Sequence, residues 1–256
     1  MTSDEGILVV TITNASLQLL DRTFPTPAEN LACDEVLLAL CEHHGNNGIL
    51  RFWEPDAFFV VVGYTNVVER EVNVERCREA GIPIFRRMSG GGTVVQGPGC
   101  LDYTLILPLS LDPHLATIAG TNSFVMERMR SAIAPLIHDA DVSVEGNTDL
   151  ALNGCKINGN AQRRGKDFVL FHGVFLVQFD LTVIDRLLPM PSRQPEYRKN
   201  RLHSSFVRNA GVSFEDLKHA LSRAWNAHAP APELSIDELQ HVAGSRYASP
   251  SWNHRK

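Results

Sequence analysis

Two periodicities of apolar residues alternate along this chain. Residues 7–12 are a β-branched run that predicts a first strand, and 21–27, with Pro25 and Pro27, predict a connector. Over 28–43, Leu31/Ala32, Glu35/Val36 and Ala39/Leu40 recur at helical spacing while Cys33, Leu37 and Cys41 widen the apolar face, which predicts a largely buried helix. A turn at 45–48 leads to two apolar runs, 49–53 and 57–62, read as antiparallel strands about Pro55-Asp56. Residues 74–80, stopped by Gly81, predict a short helix, and 122–137 a longer one with Pro135 in its last turn. Strand character returns at 142–145, 149–152, 155–161 and 168–179, with turns at Asn153-Gly154 and at 163–167. Residues 181–188 turn helical before Pro189, and amphipathic helices are predicted at 214–228 and 236–242 behind the N-caps Ser213 and Ser235. The residues beyond 242 read as a loose terminus. The pattern predicts an α+β domain.

Glycine and arginine set one stretch apart. Residues 83–108 hold five glycines and the adjacent pair Arg86 and Arg87, framed by strand character at 82–85 and 103–107. Gly90, Gly91 and Gly92 suit a backbone with positive φ or one that a ligand approaches closely. An isolated Gly-Gly-Gly also fits a bulged hairpin turn, but guanidinium forks beside it suit phosphate or carboxylate. Residues 194–209 are basic with interleaved Tyr197, Leu202, Phe206 and Val207, and read either as a loop that orders over a site or as a surface connector.

Composition narrows the function classes. The chain has 256 residues, a 44% hydrophobic fraction and a formal charge of -5, which argues against a general nucleic-acid binder. Five cysteines form no Cys-x-x-Cys pair, as expected for reduced thiols in a soluble cytoplasmic protein. No export signal or membrane-length apolar run stands out.

Residues 86–94, Arg-Arg-Met-Ser-Gly-Gly-Gly-Thr-Val, closely resemble the signature of the lipoate-protein ligase A family, within the biotin and lipoate protein ligase group. The segments Asn147-Thr-Asp149-Leu150, residues 156–163 from Lys156 to Gly159, Asn160, Ala161, Gln162 and Arg163, and His172-Gly173 resemble further motifs of that family in the same order. So do Asn30, Ala32, Asp34 and Glu35 in the first helix, and the resemblance extends over about 30–209.

The resemblance implies a mixed, largely antiparallel central sheet flanked by helices, similar to the biotin/lipoate ligase catalytic domain, over 1–210, with 211–256 as helices packed on it and no full accessory domain. It implies ATP-dependent formation of lipoyl-AMP and transfer to a lysine of an acceptor lipoyl domain, such as a 2-oxoacid dehydrogenase E2 or the glycine cleavage H protein, with a separate small accessory subunit as a further possible partner. Lys156 would be catalytic and, with Arg86, Asn147 and Asp149, bind nucleotide, with Asp149 also holding Mg2+. Arg87, Ser89, Gly90, Gly91, Gly92, Thr93, Tyr64, Gly159, Ala161 and His172 would bind the acyl substrate. No nucleic acid and no membrane is implied.

The chain departs from the family at Gln96, where histidine is usual, and in the following Gly97-Pro98-Gly99-Cys100. Related octanoyltransferases use a cysteine and no ATP, which makes Cys155 beside Lys156 a candidate nucleophile. Alternation along a strand predicts that it faces away from Lys156, which leaves Cys100 as the other candidate. The competing readings are an ATP-independent octanoyl or lipoyl transferase and a non-catalytic lipoate-binding homologue, the latter favoured by Gln96.

Overall fold

The computed structural model describes residues 16–138 and 140–255, so the strand expected at 7–12 lies outside the described residues. Eleven strands form two sheets among the described residues: β1 (Gln18–Asp21), β2 (Ile49–Trp53), β3 (Phe59–Val62), β4 (Ile84–Arg86), β5 (Val94–Gln96), β6 (Cys100–Pro108), β7 (Val142–Glu145), β8 (Asp149–Leu152), β9 (Cys155–Arg164), β10 (Phe168–Leu176) and β11 (Ala229–Pro230). Eight lie in the order β11-β1-β2-β6-β10-β9-β8-β7, and β4-β3-β5 make a small second sheet. The large sheet is antiparallel from β2 to β7 and parallel at β11-β1-β2.

Nine α-helices surround the sheets among the described residues: α1 (Pro27–His44), α2 (Val68–Glu71), α3 (Val74–Glu79), α4 (Ile118–Ile133), α5 (Thr182–Leu187), α6 (His203–Phe206), α7 (Phe214–Ala224), α8 (Ile236–Val242) and α9 (Pro250–Asn253). Alternation along β6 decides which layer covers which face. Leu101, Tyr103, Leu105 and Leu107 pack into the core with Met126 and Met129 of α4 and Leu217 and Leu221 of α7, whereas Ile106 joins the core under α1. Helix α1 starts at a capping box in which Thr26 and Glu29 satisfy each other's backbone N–H, and Gly45 ends it in the left-handed region.

Two expectations are corrected. Strands β2 and β3 are not paired with each other: β2 lies between β1 and β6, and β3 between β4 and β5. Every residue of both is buried, so each edge takes a partner distant in sequence rather than its neighbour across Pro55-Asp56. The C-terminal residues are not loose. Tyr247 and Asn253 are buried, and the Arg86 guanidinium gathers the segment by donating to the carbonyls of Trp252, Asn253 and Arg255.

Candidate active site

The glycine-rich turn between β4 and β5 lies over strand β9. Gly91 has φ +86°, and it presses so closely on Gly63 that a Cβ at Gly63 would sit 2.2 Å from the Gly91 carbonyl. Arg87 fixes the turn from within, donating from Nε to Ser89 Oγ at 3.1 Å and from Nη2 to the Gly90 and Gly92 carbonyls at 2.5 and 2.7 Å. No carboxylate pairs with Arg87 among the described residues, and burial pulls the guanidinium down to about 10.

Lys156 reaches the same side through a β-bulge. The register between β8 and β9 shifts between Leu150 and Ala151, so Leu150 pairs with Asn158, Ala151 with Lys156, and Ile157 is left over. The extra residue puts Lys156 and Gly159, three apart, on one face while Ile157 enters the core beneath. A Cβ at Gly159 would lie 2.6 Å from Lys156 Nζ, so the bare backbone there makes room for the amine. Lys156 Nζ pairs with Asp149 at 2.8 Å, and the other Asp149 oxygen accepts from Tyr197 at 2.7 Å. Burial and the Asp149 charge push the Tyr197 phenol far up, so it stays a donor.

Two cavities meet at Lys156. The smaller, about 120 Å³, has apolar walls from Leu31, Trp53, Val61, Val94 and Val174 and polar ones from Asp34, Arg87, Gln96, Asp102, Thr104 and His172. The larger, about 420 Å³, lies between the glycine turn, Asn147 to Asp149, and a strap that contributes Arg193, Pro195, Arg198, His203 and Phe206. Gly92, Thr93, Val94, Lys156, Gly159, Asn160 and Val174 line both.

A buried polar chain backs the smaller cavity. Arg51, wholly buried in β2, donates to Asp34 of α1 at 2.7 Å and to both oxygens of Asn30 at 2.8 Å. Asp34 also accepts from Thr104 at 2.8 Å and from His172 Nδ1 at 2.8 Å, and His172 Nε2 meets Ser89 Oγ at 2.5 Å. Burial by itself would raise the Asp34 carboxyl, but the hydrogen bond from His172 and the Arg51 guanidinium outweigh it and hold the group below the ordinary carboxylate range. The chain thus runs unbroken from a buried ion pair to the glycine turn.

The structure brings together most of the residues singled out in the sequence. Lys156, Arg87, Gly92, Thr93, Gly159, Ala161 and His172 line the smaller cavity, and Gly91, Asn147 and Asp149 line the larger. Gly90 and Ser89 act through Arg87 and His172. Two expectations fail. Arg86, expected at the nucleotide, lines neither cavity and spends its guanidinium on carbonyls of Gly63, Tyr64 and Asn66 and of the C-terminal segment. Tyr64, expected in the acyl pocket, lines neither cavity and packs instead at a tilt against Trp252 and under Arg255. Cys155 lies outside both cavities, as alternation requires. Cys100 is buried and its thiol is pushed well above the ordinary range by burial, which denies it a thiolate. Sequence reasoning gave no role to Arg51, Asp102 or Tyr197. The first two carried a signal, a charge inside an apolar strand.

A large mixed sheet flanked by helices, with a glycine-turn site at its face, defines an α+β fold. Residues 26–225 match the lipoyl protein ligase A/B catalytic domain family, and the chain belongs to that family. It is 33% identical over 249 residues to the putative lipoate-protein ligase A of Aeropyrum pernix, covering 90% of this chain and 89% of that one. It is 24% identical over 271 or more residues to octanoyltransferases named LipM, that of Bacillus subtilis being covered to 98% by 93% of this chain. Its fold superposes with a TM-score of 0.76 on the bi-partite lipoate protein ligase solved with its E2 lipoyl domain from Thermoplasma acidophilum, at 23% identity over 93% of this chain and 96% of that one. It does so equally, at 0.76 and 24% identity over 93% and 98%, on a lipoate-protein ligase A bound with ATP. No helix among the described residues is long and apolar enough to cross a membrane.

Proposed function

We propose that this protein is an ATP-dependent lipoate-protein ligase, which joins lipoate to AMP and then to a lysine of an acceptor lipoyl domain. The observation that carries the reading is a pair of cations: Lys156, at the junction of the two cavities with its amine over Gly159, and Arg87, buried in the wall of the smaller cavity without a carboxylate partner among the described residues. A buried uncompensated guanidinium is costly unless an anion shares its site. The apolar walls of the smaller cavity suit an acyl chain, and the larger cavity, with Lys156, Arg193 and Arg198, suits a nucleotide.

In this reading a carboxylate oxygen of lipoate attacks the α-phosphorus while the bond to pyrophosphate breaks, and Lys156 offsets the charge of both anions as they approach. The acceptor lysine, as free amine, then attacks the acyl carbonyl. AMP leaves, and the nitrogen loses a proton. Lys156 hydrogen-bonds the carbonyl and the phosphate throughout, and Tyr197 of the strap holds Asp149 beside it. Asp149 is the one carboxylate lining the larger cavity among the described residues, and with its oxygens already accepting from Lys156 and Tyr197 it would be at most a single protein ligand for a magnesium ion carried in by the phosphates. Bound there, the metal would shield the triphosphate.

Among the described residues lining the two cavities none is a cysteine, which favours adenylation over thioester transfer. The similarity to octanoyltransferases keeps the transferase reading in view, and pyrophosphate release from ATP and lipoate separates the two. The bi-partite ligase supports a separate accessory chain and an E2 lipoyl domain as partners, with residues 211–256 remaining part of the catalytic domain. The decisive experiment is mass spectrometry of an apo lipoyl domain incubated with this protein, lipoate and Mg-ATP. The wild type should add a lipoyl mass and Lys156→Ala should not. Equal modification by the variant refutes the mechanism.

A further inference from the structure

The wall of the smaller cavity holds a polar pair that an ordinary fatty acyl chain would leave unsatisfied. Gln96, 7% exposed, and Asp102, 4% exposed, both line it, and the Gln96 amide donates to one Asp102 oxygen. The second Asp102 oxygen and the Gln96 carbonyl oxygen have no partner among the described residues. Burial, and next the charge of Asp34, push the Asp102 carboxyl well up, against the pull of Arg51. A protonated Asp102 therefore offers an O–H donor beside the acceptor of Gln96.

Strand register fixes how far this pair lies from the reacting end. Asp102 pairs with Val174, and Val174 with Gly159, over which the Lys156 amine sits. Two strand spacings of about 4.8 Å put Asp102 roughly 10 Å from the Lys156 position. An extended eight-carbon acid spans roughly 9 Å at single-bond lengths near 1.5 Å. An acyl chain held at Lys156 thus presents its distal carbons to Gln96 and Asp102.

Resting on the acyl-binding reading above, we propose that Gln96 and Asp102 select an acyl chain with thiol groups on its distal carbons, the reduced dithiol of lipoate, over the plain octanoyl chain. A thiol sulfur accepts from Asp102 and its S–H donates to Gln96, whereas a methyl terminus leaves two buried polar atoms unpaired. The oxidised dithiolane can only accept, so it ranks between the two.

The test is calorimetric titration of the full chain with octanoate and phosphine-reduced lipoate in one phosphine-containing buffer, and with lipoate in the same buffer without phosphine. Wild type should bind the dithiol about tenfold more tightly than octanoate, the lower range for one buried polar group left unpaired. Gln96→Met and Asp102→Leu should each narrow that ratio to about threefold or less, with unfolding curves confirming that each is folded. Gln96→Met, close in size, serves by itself if the other variant does not fold. Octanoate bound as tightly as the dithiol by wild type, or a ratio unchanged in a folded variant, overturns the selection while leaving the ligase reading intact. Absence of binding by all three acids overturns both.

Discussion

Removing the carboxylate of Asp34 tests the polar chain behind the site. Asp34→Ala strips Arg51 of its counter-ion, and the Arg51 side chain is wholly buried while that of Asp34 is 5% exposed, so the guanidinium is left without a charge partner in a largely dry site. The two hydrogen bonds to Asn30 remain and do not neutralise the charge. Breaking a buried pair in this way costs about 3–5 kcal/mol. For a chain of this size that lowers the melting temperature by roughly 6–20 °C. His172 and Thr104 lose their acceptor at the same time, so the imidazole that meets Ser89 is no longer oriented. Urea unfolding of the single variant beside Asp34→Leu with Arg51→Met provides the check. The double variant should recover at least half of the loss, because no naked charge is left in the core, although Thr104 and His172 Nδ1 still lack the Asp34 acceptor. A single variant within about 1 kcal/mol of wild type, or a double variant as unstable as the single, would refute the claim that an uncompensated charge dominates.

Asp102→Asn should stabilise the protein increasingly as pH rises from 4 to 7. Below the ordinary carboxylate pKa of about 3.9 both states hold the proton. Above it only the unfolded chain releases it, because burial and Asp34 keep the folded group protonated, so unfolding of wild type gains up to about 1.4 kcal/mol per pH unit until the raised pKa is reached. Urea curves at several pH values that show a constant difference would contradict this. Asn253→Ala removes the acceptor for the Arg86 N–H at 2.9 Å and the donor to the Tyr247 carbonyl at 2.8 Å, and should cost about 2–4 kcal/mol while exposing residues 248–255 to protease. A protease-resistant tail in that variant would place the anchor elsewhere.

The sequence by itself determined the periodicities of α1 and of the strands from β7 to β10, because these segments are long or bounded by turn residues such as Asn153 and Gly154, both at positive φ. It also determined one of the site's ingredients, since glycine at 91, with φ +86°, is a local requirement of the backbone, whereas a Cβ at Gly90 or Gly92 would meet open space. Tertiary structure decided the rest. Whether β2 pairs with β3 depends on which distant edges are open, and Arg86 and Arg87, adjacent and chemically alike, part company because successive side chains leave the chain on opposite sides. One guanidinium meets the carbonyls of a returning C-terminus and the other those of the glycine turn, and only the folded chain brings those acceptors within reach.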